Sequence, residues 1–387
     1  MTRDVILTMG LLLAAGLVSR VLAAAIRMPE IVLLIAIGAA LGPYALDVVA
    51  VPLDSLGAQL LFTFGVSTIL FYGGLNLSLS VLRSVAPSLG LLVLPGVILT
   101  TAITGTVAAL AFGLSLQEGL LIGAVLSPTD PAILIPLFVQ SRVRIKVAQT
   151  VIAESAFNDP TGAVLALAIA GALLSGERGL GGPAADFVVE LGMSIVVGVV
   201  AGVLLSATIS SHRAGILRDS APFAVLAVVA VSYVSLDSAG GSGYLGAFLA
   251  GLIVGNMELL GLTMHPHHEQ EVRAASRTLS EVVTIFVFLV VGASLPFGTL
   301  AEHWAPSLAV VAVLLLVARP LTVLACTLPD RHADWTGREV AFLCWTRETG
   351  VVPAALVGVL AGLGAPNTEL LAGIVALAIV ATLLLQA

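Results

Sequence analysis

What most constrains this chain is a succession of apolar stretches, each about as long as a membrane-spanning helix and almost free of charge between its ends. Backbone groups surrounded by lipid must find partners within their own element, which an α-helix provides. No period-two pattern competes with this reading. Of the 387 residues 59% are hydrophobic and only 10% charged, against roughly 25% charged in an ordinary soluble domain. Polar groups this sparse cannot coat a globule, so lipid is the solvent.

Spans are predicted at roughly 5–26, 29–43, 57–79, 87–113, 118–139, 147–174, 187–210, 220–236, 242–260, 278–295, 305–327, 338–363 and 368–386, about thirteen in all. Met1-Thr2-Arg3-Asp4 lacks the basic start of a secretory signal, so the first run reads as a helix that stays. Cys326 and Cys344 fall inside apolar runs without metal spacing and read as small hydrophobes.

Charge tests the map. With the N-terminus outside, the cytoplasmic side receives Arg20, Arg27, Arg83, Arg142, Arg144, Lys146, Arg213, Arg218, Arg273, Arg277, Arg331 and Arg338, and the other side only Arg3 and Arg178. This asymmetry places the C-terminus in the cytoplasm. Gly179-Leu180-Gly181-Gly182-Pro183 reads as an external connection, and His265-Pro266-His267-His268 as a solvated cytoplasmic loop. Histidines there titrate near neutrality, which leaves pH sensing open.

Two of the basic residues, Arg319 and Arg347, sit well within spans, and the acids Asp130, Glu154, Asp159 and Glu348 do too. A central Asp or Arg costs about 2.5–3.5 kcal/mol on insertion scales. They must face one another, a cavity or a transported ion. Span 5 is interrupted at Ser127-Pro128-Thr129-Asp130-Pro131 and span 12 at Arg347-Glu348-Thr349-Gly350-Val351-Val352-Pro353. Proline breaks the helical hydrogen-bond ladder. Spans seven apart run in opposite directions, so two inverted six-helix repeats, spans 1–6 and 8–13, are predicted with broken, crossing helices 5 and 12. Asp130 suits a half-helix N-terminus, and Arg347, beside Glu348, a half-helix C-terminus.

In span 6, Glu154 and Asn158 are i,i+4 neighbours, as are Ser155 and Asp159. A carboxylate, hydroxyls and freed carbonyls suit a hard monovalent cation. Asp159, Ser155 and Thr129 are the candidate ligands, with Asp130 and Asn158 alongside.

These motifs, Ser-Pro-Thr-Asp-Pro at 127–131 and Glu-Ser-x-x-Asn-Asp-Pro at 154–160, resemble the monovalent cation:proton antiporter family in its sodium/proton exchanger-like branch. Met28-Pro29-Glu30 leading to Gly42-Pro43, Ala318-Arg319-Pro320 and Trp345-x-Arg347-x-x-Gly350-Val351-Val352-Pro353 agree. The resemblance implies that Asp159 binds cation and proton in turn, and that Asn158 marks electroneutral exchange. It also implies that Glu154 pairs with Arg319 and that the protein is a homodimer. Residues 84–174 and 298–387 then form the moving core, 1–83 and 187–297 the dimerisation domain, and 175–186 an external connection. One departure is Glu348-Thr349, where members commonly carry Gly-Ala after the arginine. Many potassium-handling members also carry a cytosolic nucleotide-binding tail, whereas this sequence ends at Ala387.

The expected function is secondary antiport of Na⁺, K⁺ or Li⁺ against H⁺ across the cell membrane, with Na⁺ favoured. The alternatives are a cation channel or another proton-coupled transporter. No enzyme activity, cofactor or nucleic-acid partner is implied. The one lysine, Lys146, has no Gly-rich phosphate loop before it, which argues against an ATP-driven pump.

Overall fold

The computed structural model describes residues 2–49, 51–53, 55–79, 86–130, 144–176, 179, 181–211, 215–330 and 332–386. Predicted features at Arg83, at 131–139 with Pro131, and at Arg142, Arg178, Leu180, Arg213 and Arg331 lie outside the described residues. Fourteen long helices carry the fold, without strands among the described residues. They are α1 (Thr2–Ile26), α2 (Glu30–Leu41), α3 (Leu56–Leu75), α4 (Ala86–Phe112), α5 (Leu116–Leu126), α6 (Ile145–Ser175) and α7 (Gly181–Ile209). After them come α8 (Ala221–Ala239), α9 (Gly243–Gly255), α10 (Pro266–Ala293), α11 (Trp304–Thr327), α12 (Gly337–Trp345), α13 (Val351–Gly362) and α14 (Thr368–Gln386).

Nine of these are long and apolar enough to cross a membrane, while α2, α5, α9 and α13 are shorter apolar helices. Every predicted span meets a helix, and α12 and α13 together fill span 12. The protein is a multi-pass, all-α membrane protein.

Local chemistry sets the helix ends. Gly113 closes α4 at φ 65°, a left-handed conformation that costs glycine little. Two residues on, Ser115 and Glu118 form a reciprocal capping box that opens α5. The hairpin closes tightly because Gly105 faces Gly119 and Gly123. A Cβ on Gly105 would lie 2.7 Å from the Leu120 Cα, and one on Gly123 2.7 Å from the Gly105 amide nitrogen. Small residues let membrane helices touch backbone to backbone, so van der Waals contact does the work that water does elsewhere.

Two expectations about loops are corrected. His265-Pro266-His267-His268 is not loop: the His265 side chain accepts from the His267 amide, Pro266 takes the first helical position and Glu269 sits in the first turn of α10. Span 10 therefore starts at Pro266, a dozen positions before the predicted 278, because capping extends the helix beyond its apolar part. Likewise α7 begins at Gly181, so the last three residues of the Gly-rich external connection are helical.

Helices α1–α3 pack chiefly with α7–α10, and α4–α6 chiefly with α11–α14. The two groups meet along α6 against α7 and α9, and along α13 against α3 and α10. Phe157 of α6 and Phe248 of α9 meet edge to face across this boundary, 4.9 Å between ring centres.

Between α11 and α12, the buried Asp330 ties the connection to the start of α4. Its carboxylate accepts from the Ser88 amide (3.0 Å) and hydroxyl (2.5 Å), and from the amides of His332 (3.1 Å) and Ala333 (3.2 Å). Burial pushes the carboxyl up, but these hydrogen bonds outweigh it and hold it below the usual carboxylate range. A depressed carboxyl stabilises the fold above its unfolded pKa, and that contribution is lost as pH falls through the folded value. Asp330→Asn should therefore lower thermal stability at pH 7, by about 1–3 kcal/mol for donors left unpaired. The gap from wild type should narrow in acid. Melting curves in detergent at pH 7 and pH 3–4 test this, and coincident curves at pH 7 would refute it.

Candidate functional site

The two interruptions meet inside the α4–α6 and α11–α14 group. Helix α5 ends at Leu126, with the Ser127 amide closing on the Ala124 carbonyl at 3.1 Å, and 128–130 continue outside the helix; α12 stops at Trp345, and 346–350 leave the helix, extended at Thr346 and at Gly350, before α13 begins. The segments cross in contact: the Asp130 amide donates to the Glu348 carbonyl at 2.9 Å. A Cβ on Gly350 would collide with the Asp130 carboxylate, so the close approach requires glycine there. Asp130 thus stands at the N-terminus of α13, where unpaired amides concentrate positive potential. Arg347 reaches the other way and donates to the carbonyls of Leu126 and Ser127 at the C-terminus of α5. Each charge faces the helix end that attracts it.

Both half-helices are dressed by buried polar residues. Thr346, Arg347, Glu348 and Thr349 are all at most 3% exposed. The Arg347 and Thr349 amides are held by α14, on Gln386 Oε1 (2.8 Å) and Thr382 Oγ1 (3.1 Å).

Helix α6 passes beside the crossing. Thr129 ties it there: its amide donates to Asn158 Oδ1 (3.1 Å), and its hydroxyl takes a bond from Asn158 Nδ2 and shares one with Ser155 Oγ (both 2.8 Å). Ser155 and Asn158, one turn apart at i,i+3, therefore grip one residue. That grouping differs from the i,i+4 pairing of Ser155 with Asp159 read from the sequence. Among the described residues no hydrogen bond joins Asp159 to Thr129 or Ser155; it stands apart, in electrostatic reach of Asp130.

Glu154 faces away from this cluster. Its two oxygens accept from the two terminal nitrogens of Arg319, whose Nε donates to the Leu343 carbonyl at 2.9 Å. Both side chains are 4% exposed. The bidentate geometry joins α6 to α11 and, through Leu343, to α12.

Asp130 and Asp159 line the inner part of a cavity of ≈ 740 Å³, together with Ile152, Ala156, Phe248 and Val351. Arg20, Glu30, Arg277 and Glu281 line it as well. Arg20 bridges Glu30 (3.3 Å) and Glu281 (3.5 Å), and Arg277 pairs with Glu281 at 2.8 Å. On the other side, α3 lies directly on α13. Phe62, in a π-helical turn of α3 and fully buried, fills the space at Gly358, and Gln59 Nε2 donates to the Gly358 carbonyl at 3.0 Å. Sequence reading missed Gln59 and Phe62, since nothing local marks a contact between residues some 300 apart. A π-turn often marks a functional position, but it is invisible in hydropathy.

A family model, sodium/hydrogen exchanger, transmembrane, matches residues 10–387. The chain belongs to the sodium/hydrogen exchanger family. It is 29% identical over 340 residues to the K(+)/H(+) antiporter NhaP2 of Shewanella oneidensis, covering 86% of this chain and 56% of that protein. The chain thus spans only about half the length of the first such relatives. It is also 29% identical over 357 residues to the probable Na(+)/H(+) antiporter 2 of Methanocaldococcus jannaschii, covering 90% and 82%. The solved structure of the sodium proton antiporter MjNhaP1 from that archaeon, at pH 8, superposes with a TM-score of 0.83 at 25% identity, over 99% of both chains. An exchanger fold therefore surrounds the crossing, the Glu154–Arg319 pair and the cavity.

Proposed function

We propose that the protein is a secondary antiporter exchanging a monovalent cation for H⁺, with Asp159 taking cation and proton in competition. The observation that carries this reading is the position of Asp159: a carboxylate beside Asp130, at the inner part of a cavity with charged residues along it, in a chain of the exchanger family. A hard cation takes oxygen ligands. Ser155, one turn before Asp159 on α6, and Asn158, the residue before it, bring side-chain oxygens together with that of Thr129, and Asp130 adds a second carboxylate. Na⁺ is favoured; K⁺ and Li⁺ use the same donors, and the relatives' names divide between Na⁺ and K⁺. Exchange assays in proteoliposomes with each ion across pH test the reading. Cation flux without counterflow of protons would make the protein a channel instead.

In this reading α4–α6 and α11–α14 (84–174 and 298–387) are the moving core, and 1–83 with 187–297 the dimerisation domain. The α3–α13 contact closes the external side while the cavity opens to the cytoplasm, where Arg20 and Arg277 fall under the positive-inside rule. The N-terminus then lies outside and the C-terminus inside the cell membrane. The homodimer of this reading would use α1 and α7, the spans least covered within the chain.

Exchange should be electroneutral, one cation for one proton. Asn158 is neutral, Glu154 is committed to Arg319, and Asp130 faces the N-terminus of α13, which leaves Asp159 as the carboxylate that switches between cation and proton. Initial rates in proteoliposomes should be unchanged by an imposed potential of either sign. A rate that follows the sign of the potential would refute the stoichiometry.

A further inference from the structure

The last helix carries two side chains that act on the crossing without entering the cavity. From Leu370 onward α14 is apolar except for Thr382 and Gln386, placed at i,i+4. Thr382 is fully buried and gives its own proton to the Ile379 carbonyl at 3.1 Å. The same oxygen accepts from the Thr349 amide, while Gln386 Oε1 accepts from the Arg347 amide. Two residues of extended chain advance about 6.6 Å and four residues of helix about 6.0 Å. Alternate amides of 346–350 therefore match two acceptors one turn apart on α14. The opposite edge of the same segment gives the Glu348 carbonyl to the Asp130 amide at 2.9 Å.

We infer that Thr382 and Gln386 are positioning residues for transport: by holding the amides of 347 and 349 they fix the height of the extended segment. Through the Glu348–Asp130 bond they set where Asp130 stands relative to Asp159. This rests on the antiport reading above. Without these acceptors two buried amides lose their partners, the segment slides to find others, and two consequences follow. Arg347 leaves the α5 carbonyls, and the Asp130 carboxylate shifts against Asp159, which changes both cation affinity and the proton's competition for it.

Thr382→Val keeps size and shape but removes the acceptor, and Thr382→Ser keeps the acceptor. Gln386→Leu does at the half-buried end of α14 what Thr382→Val does in its interior. In proteoliposomes Thr382→Val and Gln386→Leu should each raise KM for the cation about tenfold and displace the pH of half-maximal exchange. Maximal rate should fall less, and Thr382→Ser should resemble wild type. A purely structural role would lower the yield of folded protein and the maximal rate while leaving KM and the pH midpoint in place, and that result overturns the inference. Wild-type KM and pH midpoint in Thr382→Val overturns it equally. Should Thr382→Val fail to assemble, Gln386→Leu provides the same split. Hydrogen exchange at the 346–350 amides separates this inference from the antiport reading. Faster exchange in the variants supports the held segment even in a protein that moves no cation, and unchanged protection refutes it.

Discussion

Asp159→Asn is expected to abolish cation-coupled proton exchange and cation-dependent thermal stabilisation, in a protein that still folds. Asparagine keeps the size of the side chain but cannot ionise, so it neither carries a proton nor neutralises a dehydrated cation. Coupling follows from the energetics of the empty site. A bare carboxylate at the centre of a span costs about 2.5–3.5 kcal/mol on insertion scales, whereas one loaded with a proton or a cation presents no net charge to a closed gate. In the proposed mechanism loaded forms cross and the empty form does not, which is sufficient to couple two gradients without another energy source. Asp159 stands outside the Thr129–Ser155–Asn158 hydrogen bonds. Its replacement should therefore leave the α5–α6 junction intact. ΔpH-driven uptake and melting with and without Na⁺, Li⁺ or K⁺ provide the measurement. Uptake near the wild-type rate in the mutant would show that another group carries the ions.

Arg319→Ala has the second largest expected effect, and it falls on folding first. The guanidinium and Glu154 are both 4% exposed, so removing one leaves an uncompensated charge in the interior. Breaking a buried pair from one side typically costs about 3–5 kcal/mol, comparable to much of a protein's net stability. The α11 guanidinium also holds the Leu343 carbonyl near the end of α12, so the crossing loses a support as well. Folded yield and transport should fall together. Adding Glu154→Gln to Arg319→Ala should recover part of the yield, because the orphaned charge is then gone. A double variant no better folded than the single one would show that the pair's electrostatics is not what the fold depends on.

The spans were legible because lipid imposes one local rule, that apolar length equals crossing, and every predicted span found its helix. The interruptions in spans 5 and 12 were legible for a similar reason: Pro128, Gly350 and Pro353 act on their own backbone, with no need of a partner. Where ends were misjudged, capping by His265 opened α10 at Pro266, and Pro183, tolerated in a first turn where its missing N–H costs nothing, fits the start of α7 at Gly181. Hydropathy does not register either effect.

Composition, basic-residue asymmetry and the motifs around Asp130 and Asp159 determined the membrane class, the span map and the candidate residues, because each is a property of a residue and its near neighbours. Only the tertiary structure decided which buried group meets which. It gave Ser155 and Asn158 to Thr129, left Asp159 on the cavity, seated Phe62 and Gln59 on α13, and brought Thr382 and Gln386 to the amides of Arg347 and Thr349. A buried polar group must be paired, and the sequence states that need. Which partner satisfies it depends on helix rotation and approach distance, set by packing between segments tens to hundreds of residues apart.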